Sequence, residues 1–368
     1  MNVRWISLVA AAALWPAAAS AAPATDWQIG PFVRPSTAAP IITPTKSSLF
    51  RNPVDGKLVR WEALHTFNPA AVVRNGKIYV LYRAEDDTGE MQIGGHTSRL
   101  GLAESDDGIH FIRRAEPVLY PDNDSQKERE WPGGCEDPRI VESEDGTYVL
   151  TYTQWNRKTT GAAIATSKDL IHWTKHGPAL GTEGKYASLS YKSAGIVTRV
   201  EGGRLIAARI AEKYWMYWGE GVVRLATSHD LIHWTPVEDA QGEPVVVLAK
   251  RAGRFDSSFP ETGPPPVLTA KGIVVIYNGK NAPDGGDPSL GPNAYAAGEA
   301  LFAADDPARL IARTDQPVFQ PELPFEKTGQ YAAGTTFAEG LVWFRNQWYL
   351  YYGCADSMVG VAVVRSSP

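Results

Sequence analysis

The chain reads as an all-β protein, a five-bladed β-propeller, on three observations. A strand-like run led by a turn recurs five times: "NGKIYVLYRAED" from Asn75, "DGTYVLTYTQWN" from Asp145, "GGRLIAARIAEK" from Gly202, "AKGIVVIYNGKN" from Ala270 and "RNQWYLYYGCAD" from Arg345. Each run is rich in β-branched and aromatic residues and ends in polar or charged side chains. A second element follows most of them. "LGLAESDDGIHF" from Leu100, "AAIATSKDLIHW" from Ala162 and "VRLATSHDLIHW" from Val223 join an alternating strand to a Ser-x-Asp turn and a closing aromatic, with serines at 105, 167 and 228. "EALFAADDPARL" from Glu299 is a weaker copy, and "VGVAVVR" from Val359 is a fifth without its turn. Repeats of this period, each with about four short strands, are the mark of a propeller. Thirdly, no long helical periodicity competes with the strand pattern.

The elements follow in order. Arg4, an apolar run from Trp5 to Ala19 and Ala19-Ser20-Ala21 before Ala22 form the charged, hydrophobic, small-residue sequence of a secretory signal peptide. Residues 1–21 are therefore expected to be removed and the mature protein to be periplasmic or secreted. Residues 22–60, rich in Pro, Ser and Thr, predict an extended lead-in lying across the domain. Residues 61–368 hold the repeats and are expected to form one catalytic propeller. A net charge of -5, from 36 basic and 41 acidic residues, speaks against nucleic acid or an anionic membrane as partner. A homo-oligomer is compatible with the sequence. The 12 Trp and 15 Tyr suit a β-rich core and, in a cleft, stacking on sugar faces. Only Cys135 and Cys354 are present. Export permits a bridge between them, two buried thiols are as compatible, and no Cys/His cluster has zinc spacing.

Chemistry centres on Gly133-Gly134-Cys135-Glu136-Asp137-Pro138-Arg139, where two adjacent carboxylates meet a stiffening proline and a forked guanidinium. An acid beside a guanidinium can protonate a leaving oxygen while gripping a polyhydroxylated or anionic ligand, and a plain surface turn is the alternative. In a propeller the innermost strands converge on one opening. Asp86, Asp137, Glu220, Glu261 and Asp356 lie at or beside such strand ends, where acidic side chains are costly unless they bind something. His110, His172 and His233 recur at one place in three repeats, which marks them as structural.

The motifs "FNPAAVVRNGKIYVLYRAED", "SRLGLAESDDGIHF", "GGCEDPRIVESEDGTYVLTYTQWN", "ETGPPPVLTAKGIVVIYNGK" and "YLYYGCADSMVGVAVVR" resemble the successive blade motifs of glycoside hydrolase family 130, from about Trp61 to Arg365. The resemblance implies a five-bladed propeller acting on β-mannosides with inversion, some members being phosphorylases and others hydrolases. It implies that Asp137 is the acid, protonating the glycosidic oxygen through a mannose hydroxyl. It places Asn68, Arg83, Asp86 and Asp356 at positions that hold the mannose hydroxyls. His96 and Arg99 are as readily site residues as ordinary loop residues.

A phosphorylase needs a cationic cradle for phosphate, whereas a hydrolase needs a carboxylate that activates water. Where the phosphorylases carry Tyr-His-Gly, this chain has Tyr277-Asn278-Gly279, so Asn278 stands in for a phosphate ligand, and Arg83, Arg139 and Lys192 are the cations left for a cradle. Glu220 and Glu261 resemble the paired glutamates of the hydrolytic, β-1,2-mannoside-directed members, and the pair is expected to supply the base. The expectation is an exported inverting β-mannosidase, exo-acting on β-1,2-linked mannooligosaccharides without metal or cofactor. A β-1,4-mannosyl-glucose or β-1,4-mannosyl-N-acetylglucosamine phosphorylase, a non-catalytic sugar-binding propeller, and activity on arabinosides, xylosides or fructosides are the alternatives.

Overall fold

The computed structural model describes residues 26–36 and 38–364, so the expected signal peptide lies outside the described residues. The described chain is nearly all β. Its helical segments are the single turns Lys127–Glu130 and Pro324–Glu326.

Antiparallel groups recur along the chain. The first comprises His65–Arg74, Lys77–Glu85, Ser98–Ser105 and Ile112–Arg113, and the second Gly134–Glu142, Tyr148–Trp155, Thr160–Ser167 and Thr174–Pro178. The third is more broken: Ala194–Ile196 pairs with Lys213–Trp218, which continues to Val223–Ser228, while Thr198–Glu201 pairs with Arg204–Ala207. In the fourth, Phe259–Thr262 and Val267–Thr269 both lie along Gly272–Lys280, followed by Tyr295–Phe302 and Leu310–Arg313. The last contains Thr336–Phe344, Gln347–Cys354 and Met358–Val363. Its sequence lacks an outer strand. The lead-in covers that edge through isolated bridges instead, Val33 to Val363 and Ile42 to Val359.

Alternation explains how these groups pack. Successive side chains of a strand face opposite sides, so Val80 and Tyr82 join one apolar cluster with Tyr351 and Val361 of the last group, whereas Leu81 joins another with Ile140 and Leu150 of the second. Three more clusters lie between the second and third, third and fourth, and fourth and last groups. The apolar layers thus follow one another in cyclic order. Cys135 and Cys354 belong to different layers and are separate buried thiols, which resolves the disulfide question left open above.

The repeated Ser-x-Asp turns are built alike. In each, the serine Oγ accepts two backbone N–H groups, and one aspartate oxygen accepts the N–H groups two and three residues on. The other aspartate oxygen meets His110, His172 or His233 Nδ1 at 2.7 Å. The residue after each aspartate is left-handed: Gly108, Leu170 and Leu231, with φ of 83°, 70° and 68°. Asp169→Ala should therefore cost about 1 kcal/mol, the usual worth of a side chain capping backbone N–H groups, read as a lower denaturant midpoint at unchanged slope.

Candidate active site

The inner strands are interrupted where the site forms. Bulges fall between Phe67 and Pro69, Glu136 and Arg139, and Ala338 and Gly340. At the first two, Asn68 and Asp137 take left-handed backbone (φ 45° and 46°), each followed by proline. A bulge re-aims a side chain that strict alternation would send into a flank, and such a conformation in a non-glycine residue costs about 1–3 kcal/mol. Asn68 Nδ2 donates to Asp137 Oδ1 at 2.9 Å. Ser193 and Asp356 are likewise left-handed.

A pocket of about 300 Å³ opens here, lined by Asn68, Arg83, Glu136, Asp137, Lys192, Glu220, Glu261 and Asp356, with Trp155, Tyr295, Tyr331 and Phe337 as aromatic walls. Two charge clusters organise it. In one, Arg83 is held by Glu85 at 2.7 Å, Glu136 at 2.8 Å and Asp137 at 3.1 Å. In the other, Lys192 Nζ lies 3.5 Å from Glu220 and 3.6 Å from Glu261. Backbone pairing of Glu220 with Glu261 brings the two glutamates together. Ser193 Oγ donates to Glu261 Oε1 at 2.5 Å, while the buried Oε2 has no hydrogen-bond partner among the described residues.

These neighbours set the proton affinities. Burial pushes Asp137 up, but Arg83, Lys192, the Asn68 amide and Arg139 together outweigh it and hold the group at about 2. Burial carries Glu136 up to about 7 against the pull of Arg83, with Asp137 and Glu85 adding to the rise. Asp356 also reaches about 7, through burial opposed by Arg83. Glu261 is raised by burial, with Lys192 opposing and Glu220 adding. Lys192 stays charged: burial disfavours its ammonium, but Glu261, Glu220 and Asp137 raise it well above the usual lysine range.

Seven of the expected site residues line the pocket: Asn68, Arg83, Asp137, Lys192, Glu220, Glu261 and Asp356. Four do not. Asp86 and Arg99 form a buried pair at 2.7 Å behind the wall. Arg139 is consumed by Gly263 O, Thr262 O, Asp137 O and Glu339, a buried acid absent from the sequence reading. Asn278 donates to Ala338 O at 3.0 Å and accepts from Ala338 N at 2.8 Å, which ties two strands together. Their chemistry matched a sugar site, but buried polar groups must first satisfy one another. Asn278→Ala is expected to cost about 3 kcal/mol by stranding buried backbone groups and to leave KM unchanged. A raised KM at unchanged stability would return Asn278 to the binding residues.

Several wall residues escaped the sequence reading. Glu136 was visible as the neighbour of Asp137, and Trp155 as the end of a repeated strand. Tyr295 closes the Gly/Pro-rich segment 281–295, whose length and composition suit a site wall. Tyr331, Thr335 and Phe337 carried no repeat signal.

Paired carboxylates over an aromatic-lined pocket, in a nearly all-β frame, make up a carbohydrate-active enzyme. The family profile described as beta-1,4-mannooligosaccharide phosphorylase matches residues 40–367. The chain is 33% identical over 307 residues to the 1,2-beta-oligomannan phosphorylase of Thermoanaerobacter sp. (strain X514), covering 83% of this chain and 91% of the relative. It superposes on a glycosyl hydrolase from Bacteroides ovatus with TM-score 0.90 at 54% identity, covering 92% of this chain and 95% of that one. A second solved structure, from work stating that the GH130 family of mannoside phosphorylases contains hydrolases that target β-1,2 mannosidic linkages in Candida mannan, gives TM-score 0.91 at 52% identity, covering 94% and 97%. The chain belongs to glycoside hydrolase family 130, enzymes that act on mannosides. The resemblance drawn from the motifs is borne out.

Proposed function

We propose that the chain is an exported inverting β-mannosidase that hydrolyses β-1,2-linked mannooligosaccharides from the non-reducing end, on a five-bladed propeller. The cyclic order of the apolar layers supports the blade count. The relatives named for β-1,2-mannosides support the linkage.

One observation carries hydrolysis over phosphorolysis: each cation expected to cradle phosphate is already matched by acids. Arg83 faces three acidic side chains, Lys192 faces two, and Arg139 is buried against Glu339. An inorganic phosphate dianion would meet net negative charge here, whereas water needs only a carboxylate acceptor. Glu261 offers one, with Oε2 unoccupied and Oε1 pinned by Ser193. Glu220 and Lys192 orient the same water. As water attacks the anomeric carbon, Glu261 takes its proton, and the departing oxygen is protonated from the opposite side.

The acid needs more than Asp137 alone, since in the free site that group is held as a carboxylate. Glu136 and Asp137 share Arg83 and titrate as a pair. Below about pH 7 the pair carries one proton, resting on Glu136. Asp137 then hands a proton to the leaving oxygen through a mannose hydroxyl once sugar fills the pocket and the proton shifts to it.

Phosphorolysis is the second reading, favoured by the name of the Thermoanaerobacter relative. A product assay on β-1,2-mannobiose separates the two. Free mannose formed at an equal rate with and without inorganic phosphate is expected. Mannose 1-phosphate, appearing only with phosphate, would overturn hydrolysis.

A further inference from the structure

Behind the Asp356 wall of the pocket, three groups that take no part in the proton transfers above come together. His65 opens the strand His65–Arg74 and is the cross-strand partner of Glu85, the last residue of Lys77–Glu85. His96 enters from the segment between Glu85 and Ser98. One ligand-type atom of each of His65, Glu85 and His96 lies within 4.8 Å of the others. Glu85 and His96 are buried, and His65 is half-buried.

The surroundings hold these groups in a ligand-ready state. His96 Nδ1 donates to Thr88 O at 2.9 Å, which leaves Nε2 as the ring atom that can face a cation. His65 Nδ1 is engaged by Ser357 Oγ at 3.0 Å, and that oxygen already accepts the Gln330 N–H. Glu85 is oriented from both oxygens, by Arg83 and by the Gln330 amide. Imidazoles whose second nitrogen is pinned by a carbonyl or hydroxyl, beside an oriented carboxylate, are how zinc ligands are usually supported. Charge favours a cation too. Arg83 is matched by Asp137 without Glu85, and Asp356 adds a further carboxyl group to the same wall.

We propose that His65, Glu85 and His96 form a structural divalent-cation site whose donor set, two imidazoles and one carboxylate, selects zinc among the common divalent ions. The ion ties the segment 86–97 to the first group of strands. That segment contributes Ile93 and Gly94 to the pocket wall, and Gly94 O accepts the Trp155 indole N–H at 3.1 Å. The site therefore stiffens the mouth of the pocket and takes no part in proton transfer.

The test uses untagged mature protein, loaded with zinc, desalted and assayed for metal by mass spectrometry. About one zinc per chain is expected, lost in His65→Ala, in His96→Ala and in the double variant. Added zinc should raise the unfolding temperature of the wild type and leave the variants unmoved. Zinc retained undiminished by the double variant would overturn the proposal, as would wild-type protein retaining no more than that variant. Should the variants fail to fold, competition between wild type and a chromophoric zinc chelator decides, and failure to withdraw zinc from the chelator rejects the site.

Discussion

Asp137→Asn is expected to lower kcat on β-1,2-mannobiose by roughly 10²–10⁴-fold, the usual worth of a positioned general acid. The amide can keep the Asn68 and Arg83 neighbours in place, so fold and KM should change little while the proton is lost. The loss should shrink on an aryl β-mannoside with a strongly acidic phenol, whose leaving oxygen needs no protonation. The pH profile carries a further signature. The Glu136–Asp137 pair must hold its proton in the free enzyme, so kcat/KM should be full below the raised value of Glu136, about 7, and fall as pH rises through it. Glu136→Gln removes the site where that proton rests, and the alkaline limb should move to lower pH. A D137N enzyme as fast as wild type on the disaccharide would remove Asp137 from the chemistry.

Glu261→Ala should be comparably damaging, with a kcat loss of roughly 10²–10⁴-fold, because the attacking water loses its acceptor. Azide brings its own nucleophilic charge and requires no base. It should restore turnover to E261A and yield α-mannosyl azide, the inverted product. Glu220→Ala should cost less: the Glu220 side chain is 39% exposed and that of Glu261 fully buried, so only Glu261 acts on a water withdrawn from bulk solvent. Azide rescue of E220A but not of E261A would exchange the two roles. The acid limb of the pH profile reports the same residue. Glu261 must be ionised, and its affinity is raised by burial, so activity should be lost above the ordinary glutamate range as pH falls.

Much of the frame was legible in the chain. The run "KIYVLYRAE", rich in β-branched and aromatic residues, reads as a strand, and the strand period of two sends Val80 and Leu81 into different apolar layers. The Ser-x-Asp turns announced themselves because the same local contacts, all within one six-residue span, recur in three repeats. Less legible was the last group, whose outer edge is covered by bridges from Val33 and Ile42, some 300 residues earlier in the chain. Repeat spacing carries no information about an edge covered from the other terminus.

The site divides in the same manner. Asp137 and Glu261 could be read from the chain because each sits in a motif whose local backbone, a Glu-Asp-Pro bulge or a strand entering Gly-Pro-Pro-Pro, aims one side chain, whereas Glu220 was legible only through the family resemblance. Asp86, Arg99, Arg139 and Asn278 carried the same kind of signal, yet each is spent on a buried partner. Only the tertiary structure decides who those partners are, because a buried charge or amide takes whatever complementary group the packing brings within hydrogen-bonding reach. The proton on Glu136, the pairing of Lys192 with two glutamates, and the meeting of His65, Glu85 and His96 are of this kind. Strand type and turn type follow from neighbours along the chain; proton affinities and ligand sets follow from neighbours in space.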